Sequence, residues 1–279
     1  MRGTMTAALV AVSLIALAGC RQTSVGGNEA ASNAAAPAAA GSIDGTWKAD
    51  VSTAKWDQKP DEYLLQNGKY DCKTCTPPVS IPADGAFHSV TGHPYYDSAM
   101  LKIVDDKTVQ EAQKLKGREI GSSTSKVSAD GNTLTVEFKD STIANAPPTT
   151  GHFEETRVGA APAGAHALSG QWKPAKAENI NAEALTVTFK ADADMLHMSS
   201  PSGVSFDAKL DGTDTPIKGD PAGTTASVKR VGDGFEETDK RDGKVVGVAT
   251  FSVGADGKLN AVYENKLDGS KTRYSANKQ

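Results

Sequence analysis

The chain is poor in aromatic residues, which make up 6% of its 279 positions, and it has only three cysteines. It also lacks a basic excess: 30 Lys and Arg face 34 Asp and Glu, for a net charge of −4. A nucleic-acid partner needs a dense basic face, and an anionic lipid surface attracts a polybasic one, so neither is expected. The apolar run from Ala7 to Ala18 is too short to span a bilayer comfortably. Catalytic signatures are missing as well. There is no G-x-S-x-G elbow, no H-E-x-x-H pair and no phosphate-binding G-x-x-x-x-G-K loop. With no catalytic constellation, the chain is not expected to be an enzyme. What it does have is 27 Gly and 13 Pro, a mix that suits short strands joined by tight turns better than long helices.

The amino-terminal segment reads as an address. Arg2 precedes the apolar run, and small residues close it, the pattern of a secretory leader over residues 1–19. Leu17-Ala18-Gly19-Cys20 resembles the lipobox of bacterial lipoproteins. The resemblance implies cleavage before Cys20, acylation of that residue, and membrane lipid as a partner. Several acyl chains on one residue anchor stably where a single chain binds marginally. In that family the next residue guides sorting. Arg21 in place of Asp implies the outer membrane of a Gram-negative cell, facing the periplasm, with the cell surface as the other possibility. Residues 20–42 are mostly Ala, Gly, Ser and Asn, too poor in bulky apolar groups to offset their ordering entropy, and read as a flexible tether.

The remainder is a repeat. Gly45-Thr46-Trp47-Lys48 recurs as Gly170-Gln171-Trp172-Lys173, and Val90-Thr91-Gly92-His93-Pro94 as Ile217-Lys218-Gly219-Asp220-Pro221. Leu101 to Asp106 matches Val228 to Asp233, and Ser128 to Gly131 matches Gly254 to Gly257. The offsets of 125, 127, 127 and 126 residues keep order and spacing. Two homologous domains are expected, at 43–158 and 168–279, joined by a small-residue linker at 159–167. Each half alternates apolar and polar residues. Leu134, Val136 and Phe138 share one face, as do Leu185, Val187 and Phe189, and Val245, Gly247, Ala249, Phe251 and Val253. Five Asp-Gly dipeptides, at 84, 130, 211, 242 and 256, fall between such runs as turns. About eight strands per half in up-and-down order predict an all-β fold of two tandem small antiparallel barrels.

The opening Gly-x-Trp resembles the first-strand signature of lipocalins, where the Trp plugs one barrel end. Tyr95-Tyr96-Asp97, Gly234 to Val246 and Val253 to Lys258 are similar to a bacterial family of secreted lipocalin-like domains of uncharacterised function. The resemblance covers both halves and implies a barrel-like fold. It implies no activity.

Cys72 and Cys75 stand two residues apart. Outside the cytoplasm such a pair tends to oxidise, so a structural disulfide is the leading expectation. Thr76 excludes c-type haem attachment, and Pro77 and Pro78 deny the helix that a redox-active pair uses. Zinc is the alternative: Cys72, Cys75, His88 and His93 have finger-like spacing, although three prolines between Cys75 and His88 exclude the finger helix. No other cofactor is indicated. His197 sits in an alternating strand and is expected to line the core. The adjacent acids Asp105-Asp106, Glu154-Glu155 and Glu236-Glu237 read as solvated turn and edge charge. Trp47 and Trp172 hold equivalent places and read as fold residues. Trp56 has no counterpart, so with Tyr95 and Tyr96 it is a candidate ligand contact. The expected function is binding of a small apolar ligand by an envelope-anchored protein. The alternative is an envelope interaction protein with filled barrels.

Overall fold

The computed structural model describes residues 41–279; the leader, Cys20 and nearly all of the tether lie outside the described residues. The strands up to the second Gly-x-Trp are β1 (Gly45–Asp57), β2 (Asp61–Gln66), β3 (Lys69–Cys72), β4 (Val79–Pro82), β5 (His88–Ser89), β6 (Ser98–Asp105), β7 (Thr108–Leu115), β8 (Arg118–Val127), β9 (Thr133–Asp140) and β10 (Thr149–Val158). They continue as β11 (Gly170–Glu178), β12 (Thr186–Ala191), β13 (Met195–Ser199), β14 (Ser205–Lys209), β15 (Thr215–Pro216), β16 (Thr225–Val231), β17 (Gly234–Arg241), β18 (Lys244–Val253), β19 (Leu259–Asn265) and β20 (Lys271–Lys278). They form two nearly closed antiparallel barrels in tandem, each a ten-stranded sheet. Ten strands appear where about eight are expected because the edges are short pieces such as β5 and β15.

Membership of the two sheets cuts across the two repeats. The N-barrel runs β4-β3-β2-β11-β10-β9-β8-β7-β6-β5, and the C-barrel runs β14-β13-β12-β1-β20-β19-β18-β17-β16-β15. Each repeat has therefore given its first strand to the other barrel. The exchange is register-true. Trp47 on β1 lies opposite Val187, and Trp172 on β11 lies opposite Asp61, the equivalent position. Because both first strands carry the same Gly-x-Trp, either fits either slot, and exchange costs little when the partners share one chain. The chain crosses between barrels at 58–60 and again at 179–185. The segment 159–169 instead closes a hairpin, since Val158 on β10 pairs with Gln171 on β11.

The two tryptophans hold matching places. Trp47 is 1% and Trp172 0% exposed. The Trp47 indole N–H donates to the Ile43 carbonyl at 2.7 Å, and that of Trp172 to the Leu168 carbonyl at 2.8 Å. A cation covers each ring: Lys278 Nζ lies 5.4 Å from the Trp47 centroid, and the Arg157 guanidinium 4.0 Å from that of Trp172. An isolated antiparallel backbone bridge pairs Asp84 with Lys102 in the N-barrel, and another pairs Asp211 with Lys229 at the matching place in the C-barrel.

The Asp-Gly dipeptides at 84, 130, 211, 242 and 256 each carry a left-handed glycine, with φ between 74° and 83°. Asp242 is itself left-handed, which makes the tight turn from β17 to β18. The face shared by Gly247, Ala249, Phe251 and Val253 does not extend to Val245. A bulge beside Asp239 turns Val245 outward, to 42% exposure, and brings Val246 in.

The barrels pack on each other. Arg241 donates to the Tyr95 hydroxyl at 2.6 Å and to Thr224 Oγ1 at 3.2 Å. Ile143 and Ala146, from the loop after β9, join the C-barrel core. They lie where a Cβ on Gly203 would come within 2.9 Å of both, so only glycine fits that contact. A second seam forms where the crossing strands meet: Val51, Ala54 and Trp56 pack with Phe138, Phe153, Ala177 and Ile180.

Candidate functional site

The N-barrel encloses a cavity of about 90 Å³. Its wall follows strand parity. Glu111 and Gln113 project from β7, Ser123 and Ser125 from β8, and Leu134, Val136, Phe138 and Asp140 from β9. Tyr63, Tyr70 and Phe153 complete it. The Tyr63 and Tyr70 rings stack at 6.2 Å, and those of Phe138 and Phe153 at 4.8 Å. The Ser123 hydroxyl points at Glu111 Oε2 from 3.4 Å. Asp140 accepts the Thr142 backbone N–H at 2.7 Å, and burial pushes its carboxyl up to about 6. Burial also raises the Tyr70 hydroxyl, helped by the Glu111 charge.

The same positions in the C-barrel are filled. Ser125 pairs with Val136 across β8 and β9, and Phe251 pairs with Ala261 across β18 and β19. Likewise Ser123 faces Phe138, whereas Ala249 faces Tyr263. Phe251 is 2% exposed, and its ring lies 5.4 Å from that of Phe189, which stands where the N-barrel has Tyr63. Tyr263 folds over Gly247 so closely that a Cβ there would lie 2.3 Å from its hydroxyl. The hollow in the N-barrel thus matches the room that Phe251 occupies in its twin.

The C-barrel buries acids on its inner face as well. Glu237 and Asp239 alternate along β17 with side chains 2% and 0% exposed. Burial pushes Glu237 up to about 7. Burial and the neighbouring carboxylate raise Asp239 further, with Arg241 opposing. The two carboxyls lie close enough to influence each other's ionisation, so they titrate as a pair. This corrects the expectation that Glu236-Glu237 and Glu154-Glu155 are solvated. Glu236 and Glu154 do face outward, but Glu237 and Glu155 point into the barrels, Glu155 at 0% exposure. The signal was present: Glu237 and Asp239 share the parity of buried Phe235, and Glu155 that of Phe153.

Cys72 and Cys75 form a disulfide at the end of β3, buried in the N-barrel core. With both thiols spent, the four-ligand zinc alternative does not assemble. His88 pairs with Asp84 at 2.9 Å, while His93 stacks on Tyr96 at 4.3 Å and is held below its usual pKa by burial. Tyr95 sits at the seam between barrels, and Tyr96 is 1% exposed in the core. Trp56 packs in the other seam, its indole N–H buried and unpartnered. None of Trp56, Tyr95 and Tyr96 lines the cavity. His197 is not a core residue either: it lies outside the barrel between Asp207 at 2.7 Å and Asp192 at 3.2 Å, which raise its pKa.

Among the described residues one set has the spacing to hold a metal: His152, Glu154 and Glu178, with ligand atoms within 4.8 Å of one another. Strand pairing places His152 directly opposite Glu178. The Lys176 ammonium sits on Glu178, however, and His152 Nε2 is already bonded to the same carboxylate at 2.9 Å, so the group is satisfied as an ion-pair network. No protein-family model, curated protein or solved structure matches this chain.

Proposed function

We propose that this protein is an envelope lipoprotein, held to membrane lipid through acylated Cys20, that binds a small molecule inside its N-barrel without transforming it. The observation that carries the binding reading is the cavity of about 90 Å³, lined by Ser125 where the twin barrel is filled by Phe251. A hollow lined by aromatic rings and a few converging polar groups is the ordinary form of a ligand site. Its size limits the occupant to a compact group rather than a long acyl chain, since a 150 Å³ cavity is about right for benzene. Its wall, with Glu111, Gln113 and two serines among the rings, suits an amphipathic occupant better than a purely apolar one. The filled C-barrel favours the structural role for that half, with Tyr95 and Arg241 joining the two.

Native mass spectrometry tests the reading on the mature chain carrying Cys20→Ser, purified from the periplasm. An organic adduct that disappears with Ser125→Phe supports it; a bare mass at ligand saturation, with unchanged stability, removes it. Retention of Cys20→Ser in the membrane fraction would overturn the anchor.

A further inference from the structure

Resting on the reading of the N-barrel as a binding site, we propose that its occupant presents a compact uncharged amide, recognised by the carboxamide of Gln113 and the hydroxyl of Ser125. Both side chains line the cavity and both are buried, Gln113 at 9% and Ser125 at 5% exposure. Neither side chain hydrogen-bonds to another among the described residues. A buried polar group is ordinarily paired, because giving up water without a new partner is costly. Two such groups on the wall of one small hollow point to a partner that enters it.

The local structure aims them inward. Strand parity places Gln113 with Glu111 on the inner face of β7, and Ser125 with Ser123 on that of β8. Gln113 pairs across the ladder with Gly121. A Cβ on Gly121 would come within 3.1 Å of Gln113 Oε1, so the amide lies over a residue with no side chain to cover it. The matching pair in the C-barrel is Asp239 and Gly247, where the Tyr263 ring takes the space over the glycine. At the place of Ser125 the C-barrel has Phe251. The N-barrel thus uncovers a carboxamide and a hydroxyl where its twin has rings.

The chemistry of these groups selects the occupant. A carboxamide offers donors and an acceptor without charge, and a hydroxyl can serve as either. An amide supplies the C=O and N–H that the two require, whereas a hydrocarbon leaves Gln113 and Ser125 unpaired. The carboxyls on the wall already hold protein donors: Asp140 accepts the Thr142 N–H at 2.7 Å, and Glu111 the Ser123 hydroxyl at 3.4 Å. Their charge also repels an anion. The apolar part of a small acyl group meets Phe138 and Phe153, whose rings share the wall. An acetamido-sized group suits a volume of about 90 Å³, and the cavity opens to solvent, so the molecule that carries it extends outward.

The test uses the full mature chain with Cys20→Ser, titrated with N-methylacetamide and with methyl acetate, its isostere without the N–H. Chemical shifts of the Gln113 side-chain amide and of the tyrosine rings follow binding. The amide is expected to bind about tenfold more tightly than the ester, to lose that margin in Gln113→Met, and to be excluded by Ser125→Phe. Gln113→Met should leave the N-barrel transition in place or raise it, since no protein hydrogen bond is lost. A lowered transition would mark Gln113 as a paired structural residue and overturn its role. Equal or tighter binding of the ester overturns the amide assignment and leaves the binding site standing. No binding of either, in a chain whose thermal transition is intact, overturns both. N-acetylglucosamine and N-acetylglycine methylamide carry the same group on a sugar and on a peptide. Whichever displaces N-methylacetamide at the lower concentration assigns the source.

Discussion

The two barrels share a strand plan, a tryptophan plug and a closing bridge, yet one is hollow and the other full. The largest volume exchange behind it is Ser125 in the N-barrel, which stands where the C-barrel has Phe251, while Phe138 lacks only the hydroxyl of Tyr263 at the matching place. The polar ladders diverge too. Glu111, Gln113 and Leu115 on β7 correspond to Glu237, Asp239 and Arg241 on β17. A duplicated fold can thus keep one copy packed for stability while the other gives up packing for a site. The exchanged first strands tie the two together, because neither barrel is complete without a strand from the other repeat.

The comparison can be broken most severely at the exchange. Deleting residues 41–57 removes β1 from between β12 and β20, so the C-barrel is expected to lose its cooperative transition while the N-barrel, complete from β2 to β11, keeps its own. Hydrogen exchange resolved by residue checks this, and adding the 41–57 peptide should restore C-barrel protection. Protection surviving in β18–β20 without the peptide would contradict the strand assignment.

Phe251→Ser should transplant the hollow. Loss of a buried phenyl ring costs about 3–5 kcal/mol, read by denaturant unfolding of the C-barrel. The reciprocal Ser125→Phe should shift stability by no more than about 1–3 kcal/mol while closing the N-barrel cavity.

The acid pair sharpens the contrast through pH. Glu237 and Asp239 have folded pKa values raised above their unfolded ones, so the folded state holds more protons between them. Their contribution to stability is full below the unfolded value of 3.8 for Asp239 and is lost as pH rises through about 7, where Glu237 ionises. His197, also raised, acts in the same direction. The C-barrel should therefore melt lower at pH 8 than at pH 5, with Glu237→Gln reducing the difference by about 1–3 kcal/mol. An unchanged pH profile in that variant would remove the pair as its cause.

The smallest expected effect is local to the N-barrel. Replacing Cys72 and Cys75 together by Ala opens a short ring worth about 2 kcal/mol of chain entropy. Calorimetry should show only the N-barrel transition move.

Much of this architecture was legible. The repeat, the Asp-Gly turns, the alternating faces and the Cys72–Cys75 pair each rest on a local rule, in which chain spacing or residue type already specifies the geometry. The candidate contacts were not. Tyr95 and Tyr96 read as candidate ligand contacts, but long-range packing buries them away from the cavity, and the cavity residues are ordinary strand positions whose significance appears only beside their twins. The buried acids were half legible: parity marked them as inward, while their charge argued for the surface.

The sequence by itself determined that the chain is a tandem repeat of antiparallel strands, because hydrophobic alternation and glycine turns act over a few residues. Only the tertiary structure decided which first strand closes which barrel. Both carry the same Gly-x-Trp signature, and the choice depends on the whole chain's path. It alone decided, too, which barrel stays hollow, since that depends on how a few side-chain volumes add up across strands far apart in sequence.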